Sequence, residues 1–213
     1  GANLDLLRTF QRSGAVLVDF DRESGLNNVD TVVVDNRRGA ELATQHLVDL
    51  GHREIATVAG PQHLSNARGR LGGFKDTLRK NGIGVKTAYI QYGNFRQESG
   101  FLAAQKLHSL DRPPTALFVA NMEMAAGVIA FVRDQAVSIP QEISIVSFDD
   151  PLWARYMDPP LTVVSQPVES MGKCTMELLL ARLRGGKPVE TIVFTPELII
   201  RQSTAPPGGD VSA

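Results

Sequence analysis

The chain of 213 residues is poor in several things, and each shortage removes a class of explanation. It has one cysteine, Cys174, so no disulfide framework and no cysteine-based zinc site can form within it, and a reducing compartment fits. Lys and Arg number 22 against 23 Asp and Glu, a net charge of -1 with pI ≈ 6.5, so no general attraction to nucleic acid phosphates is expected from this chain by itself. No apolar run approaches membrane-spanning length, and the first residues lack the basic start and apolar core of a signal peptide, so a soluble chain is expected. Gly-x-Ser-x-Gly, Walker, Gly-x-Gly-x-x-Gly and His-Glu-x-x-His patterns are missing, which argues against the commoner enzymes and nucleotide binders. The four histidines do not cluster, and His46 and His52 miss the i, i+4 spacing of a helical metal pair, so no metal is expected. Neither an internal repeat nor a low-complexity block is present.

What is present is an alternation of short Val- and Ile-rich runs with helical patterns. Strands are expected at 15–19, 31–34, 55–59, 88–92, 116–119, 143–148 and 162–165, with a last one between 191 and 200. Helices are expected at 3–12, 40–50, 67–81, 97–110, 122–135 and 169–184, two of them stopped by Gly51 and Gly82. Such alternation predicts an α/β fold whose mostly parallel strands are flanked by helices through right-handed crossovers. The Pro- and Gly-rich stretch 205–213 reads as a loose tail.

Ligands of parallel sheets lie beyond the carboxyl ends of the strands. Those ends carry Gly60-Pro61 and a polar loop leading to Arg68 and Arg70, then Phe95, Asn121 and Asp149. A guanidinium, a ring, a carboxamide and a carboxylate on one edge suit a polyhydroxylated or otherwise polar small molecule. Each also has a plainer role. Asn121 can cap its helix, Asp149 and Asp150 can start a turn, Arg70 can pair with a surface carboxylate, and Phe95 can cover the core. Asp149 and Asp150 lack visible neighbours that would split them into an acid and a base. Cys174 reads as a small buried hydrophobe, and His52 as a partner of a helix end or neighbouring loop.

Five segments taken together resemble the effector-binding core of the LacI/GalR family of bacterial transcriptional repressors. They are VDTVVVDNRRGAELATQHLVDLGHREIATVAGP at 29–61, RGRLGGF at 68–74, TALFVANMEMAAGVIAFVRDQAVSIPQEISIVSFDD at 115–150, YMDPPLTVVSQPVESMG at 156–172 and PELIIRQST at 196–204. The resemblance implies a two-lobed periplasmic-binding-protein-like fold with an incomplete first lobe. Residues 1–35 and 166–187 would be remnants of the amino-terminal lobe, and 36–165 with 188–204 the carboxyl-terminal lobe. It implies a cytoplasmic, non-enzymatic sensor without a cofactor, a sugar-like effector, a homodimer, and operator DNA read by a helix-turn-helix domain that this chain lacks. By motif position the effector contacts would be Arg70, Asn121 and Asp149, with Phe95 where the family often places a ring and Gln166 at the crossing between lobes. A sugar-binding protein of a transporter would share the cleft. One departure stands out: Met122 follows Asn121 where the family usually has an acid.

Overall fold

The structure, a computed structural model, describes residues 4–185 and 188–208. The start of the expected first helix at Asn3, positions 186–187 of the expected lobe remnant and the last five residues of the expected tail lie outside that range.

The strands form two sheets. A three-stranded parallel sheet has the order β1 (Val18–Phe20), β2 (Asp30–Val34), β8 (Thr191–Phe194). A six-stranded sheet has the order β4 (Ile90–Tyr92), β3 (Ile55–Ala59), β5 (Ala116–Val119), β6 (Ser144–Phe148), β7 (Thr162–Ser165), β9 (Glu197–Ile199), with only β9 antiparallel. The expected α/β architecture with parallel sheets is thus found, with one correction. The resemblance puts the stretch from 188 onward in the larger lobe and the sequence pattern reads one strand between 191 and 200, but β8 pairs with β2 of the small sheet and β9 with β7 of the large one. Pro196 falls between the two strands and has no N–H to continue a ladder.

Helices α2 (Asn36–Asp49) and α3 (Ser65–Lys80) cover one face of the large sheet, and α4 (Gln97–His108) and α5 (Met122–Asp134) cover the other. Side chains alternate between faces as the strand period requires: Ala116 and Phe118 of β5 point to the α2–α3 side, Leu117 and Val119 to the α4–α5 side. All four are essentially inaccessible, which explains why buried parallel strands read as continuous apolar runs. Helix α2 begins where Asp35 Oδ1 accepts the Arg38 N–H at 2.9 Å, and its inward stripe of Ala40, Ala43, Leu47 and Val48 has helical spacing. The first core also takes in Val32 and Val34 of the small sheet and Met171 of α7 (Val168–Leu183), so apolar packing joins the two sheets. Cys174 is half-buried and packs against this core. Helix α1 (Leu4–Arg12) has no buried residue, and α6 (Leu152–Arg155) is a single turn that the sequence pattern does not announce.

The chain crosses between the sheets at 34–36, 165–168 and 194–197. Beyond β9 it is stitched back to the large sheet. Ser203 Oγ donates to Ile145 O and accepts from Thr162 N, and the Ala205 N–H donates to Ser144 Oγ. Ala205, expected to open a loose tail, is therefore held. His52, 1% exposed, completes the clamp: Nε2 lies 2.9 Å from Ala205 O and Nδ1 2.9 Å from Thr115 Oγ1. A carbonyl only accepts, so Nε2 carries the proton and Nδ1 accepts from the Thr115 hydroxyl.

Burial pulls the His52 pKa down, opposed by the Ala205 carbonyl, and burial also lowers His46, whose Nε2 meets Thr204 Oγ1 at 2.9 Å. The unfolded chain therefore takes up protons first, near the ordinary value of about 6.5. Stability from both residues is complete above that pH and is lost as pH falls below it toward the depressed native values. Urea midpoints measured between about pH 8 and 5 are expected to fall on the acid side. His52→Gln should flatten that slope while costing about 1–3 kcal/mol at neutral pH, because Thr115 and Ala205 lose a partner. An unchanged slope in the variant would place the acid sensitivity elsewhere.

Candidate functional site

The large sheet reverses its strand order at β3: the chain leaves β3 for β4 on one side, then returns past it to β5 on the other. A crevice opens at such a reversal, outside the carboxyl ends of the strands. There the structure has a cleft of about 590 Å³ lined from both sheets. Arg70, Phe95, Asn121, Asp149 and Gln166 all line it, so the five residues singled out by motif and position are brought together.

Arg70 lies on α3 and is 2% exposed, which excludes the surface-pair reading. Its Nε donates to Asn36 Oδ1 at 2.8 Å, its Nη1 to the Ala120 carbonyl at 2.6 Å, and its guanidinium carbon stands 3.6 Å from the centre of the Phe148 ring. Burial lowers its pKa, while the carboxylates of Asp149 and Asp21 act in the opposite direction. A guanidinium remains charged under such conditions, so Arg70 is a fixed, dry cation in the lining of the cleft.

Asp149 follows β6 with φ +77°, a conformation that Asp tolerates better than most residues. Its Oδ1 accepts from Gln166 Nε2 at 2.5 Å and its Oδ2 from the Met122 N–H at 3.4 Å. Gln166 sits in the crossing between β7 and α7, so this bond ties a cleft carboxylate to a segment that joins the sheets. Asp150 is held differently, because Arg201 and Arg155 engage it at 2.7 and 2.9 Å and its side chain is 5% exposed. Asn121 does cap its helix, Oδ1 accepting from the Met124 N–H at 3.1 Å, and it lines the cleft as well. Phe95 has φ +63°, and its ring lies over Gly60, where a Cβ would come within 2.2 Å of the ring. Only glycine after β3 lets the ring lie there. Met122 also lines the cleft and donates its backbone N–H to Asp149.

Sequence reasoning missed the other wall, made by Phe20, Asp21 and Arg22 at and beyond the end of β1, and with it Asn66 of α3. Asp21 follows β1 with φ +65°, as Asp149 follows β6, and accepts from Asn66 Nδ2 at 3.0 Å. The carboxyl-end rule could have found it, had the strand been read to Phe20 rather than Asp19. Phe20 from the small sheet and Phe95 from the large one give the cleft a ring on each side. Among the described residues, no group of three or more His, Cys, Asp or Glu is placed to hold a metal ion, and no helix is long and apolar enough to cross a membrane.

Residues 44–204 match the family described as periplasmic binding protein-like domain. The HTH-type transcriptional repressor PurR of Klebsiella pneumoniae is 32% identical over 203 residues, which are 95% of this chain and 59% of that protein. The ribose operon repressor of Haemophilus influenzae is 34% identical over 177 residues, 83% of this chain and 53% of that protein. The chain thus spans less than two thirds of the length of these curated relatives. Among solved structures, the transcriptional regulator CelR–cellobiose complex superposes with a TM-score of 0.88 at 31% identity, covering 93% of this chain and 62% of that one. A LacI family transcriptional regulator from Enterococcus faecium with bound ribose gives a TM-score of 0.86 at 28% identity, covering 96% of this chain and 76% of that one.

Proposed function

Because the chain belongs to the periplasmic binding protein-like domain family, in the form carried by LacI-family regulators, we propose that it is the effector-sensing part of a bacterial transcriptional repressor. The observation that carries this reading is the cleft itself. A buried arginine, three carboxylates, three carboxamides and two rings converge from both sheets, and three crossing segments connect those sheets. The effector is a small polar molecule, a sugar or sugar derivative, held by Arg70, Phe95, Asn121, Asp149 and Gln166. The solved relatives described with ribose and cellobiose support that class.

The mechanism is a shift between hinge states. An effector bonded to Arg70 and Asp149 on one wall and Asp21 on the other stabilises one angle between the sheets, and only as strongly as it prefers that angle. Gln166 couples the bound carboxylate to a crossing segment. The parent protein works in the cytoplasm as a homodimer, and operator DNA is read by a helix-turn-helix domain outside the span of this chain. The near-neutral charge of the chain agrees with DNA contact lying elsewhere. Leu152, Trp153 and Tyr156 form an exposed apolar group beside Ile129 and Met157 that suits a second copy. A transport protein would use a similar cleft, but the relatives described above are regulators.

Asp149→Ala in the full-length parent tests the proposal. Operator binding in a mobility-shift assay should persist while its response to effector disappears. A variant that responds like the wild type would remove Asp149 from the effector site.

A further inference from the structure

We infer that the effector is uncharged and that the cleft excludes its phosphorylated form; this deepens the effector-site reading and rests on it. The grounds are the charges in the wall. Two arginines line the cleft, and both lie in the field of carboxylates that line it as well. Arg22 Nε is 3.7 Å from Asp21 Oδ2. Arg70 is committed to Asn36 and the Ala120 carbonyl, and the charges that favour its protonated form are Asp149 and Asp21. Asp150, the third carboxylate of the wall, is taken by Arg201 and Arg155. Among the described residues, Arg22 pairs with Asp21, while Arg70 has no carboxylate at ion-pair distance and feels Asp149 and Asp21 only through the field of the cleft.

The amino end of a helix is the other usual place for an anion, because its first N–H groups have no partner within the helix. At the cleft end of α5 the protein's own groups fill that place. Asn121 Oδ1 takes the Met124 N–H at 3.1 Å and Asp149 Oδ2 the Met122 N–H at 3.4 Å. The carboxylate of Asp149 thus stands where a bound anion would stand at the helix end. At the start of α3, Asn66 turns its carbonyl oxygen to the Ala67 N–H and its amide to Asp21.

A phosphate group bringing about -1.5 to -2 charge would meet Asp21 and Asp149, with Arg22 already paired to Asp21 and Arg70 already bonded to Asn36 and the Ala120 carbonyl. A neutral polyol meets the reverse situation. Its hydroxyls donate to the two carboxylates and accept from Arg70 and the carboxamides, so Asp21, Asp149 and Arg70 each gain a partner. Asp21 and Asp149 are therefore the residues that set selectivity between an uncharged ligand and its phosphate ester.

The test uses inorganic phosphate as the probe and needs no knowledge of the effector. Thermal unfolding of the wild-type chain is followed in rising phosphate against potassium chloride of equal ionic strength, beside Asp149→Asn and Asp21→Asn. Both substitutions keep the shape, and Asn accepts the left-handed backbone at each position. The wild type should gain nothing beyond the chloride control. Asp149→Asn, which removes the carboxylate that fills the end of α5 and whose field acts on Arg70, should gain a few degrees, saturating at millimolar phosphate. If that variant does not fold, Asp21→Asn, which leaves Arg22 unpaired, is expected to show the same gain. Saturable stabilisation of the wild type equal to that of the variants would overturn the inference, as would variants that respond no more than the wild type. A phosphorylated sugar that binds the wild type more tightly than its neutral parent would also overturn it while leaving the effector site in place. A chain that takes no sugar of either kind, with the phosphate contrast intact, would instead count against the sugar reading.

Discussion

Gly127→Val should destabilise the chain by about 3 kcal/mol or more, among the largest losses available from one side chain. Helices α4 and α5 touch where Gly127 faces the first turn of α4, and a Cβ there would lie 1.9 Å from Gln97 O and 2.7 Å from Phe101 N. Both neighbours are backbone, so no rotamer change relieves the overlap and the helices must separate. Separation opens the core around Met124, Val128 and Phe131, and it moves the start of α4 that follows Phe95. Urea denaturation measures the loss. Gly172→Ala in α7, where an added Cβ meets nothing within 4 Å, is the control and should be neutral or stabilising by about 0.5–1 kcal/mol. Equal midpoints for the Gly127 variant and the wild type would show that the helices have room to part.

Arg70→Met should remove effector binding. The thioether chain fills much of the arginine stem's place, but the fork that joins Asn36, Ala120 and the ring of Phe148 is gone. Loss of a buried, hydrogen-bonded charge in the field of Asp149 and Asp21 is expected to cost about 2–5 kcal/mol of binding, at least roughly 30-fold in Kd. Arg70→Lys keeps the charge without the planar fork and should fall between the two. Calorimetry reads both. A Met variant that binds as the wild type does would confine Arg70 to holding α3 against β5 and β6.

Much of this was legible because parallel sheets simplify the problem. Strands buried on both faces announce themselves as apolar runs, and the residue after each run is placed at the ligand-binding edge; Asn121 and Asp149 were visible for that reason. Arg70 was visible as a motif position, but its burial was not, since that depends on Asn36, Ala120 and Phe148, which are distant in sequence. Long-range closure was beyond reach in the same way. Arg201 is bonded to Asp150 across 51 positions, and Ala205 to His52 across 153. The run from 191 to 200 reads as one strand because both halves are apolar, although Pro196 marks the break. The small-sheet wall was lost to a one-residue shift in β1, which moved Asp21 out of the position where an acid attracts attention.

The most direct measurement is calorimetric titration of the wild-type chain with a panel of neutral mono- and disaccharides, ribose and cellobiose among them. A saturable isotherm with one site per chain that vanishes in Arg70→Met is the predicted result. Binding to none of them, or binding that survives the loss of Arg70, would contradict the assignment of this cleft as a sugar-sensing site.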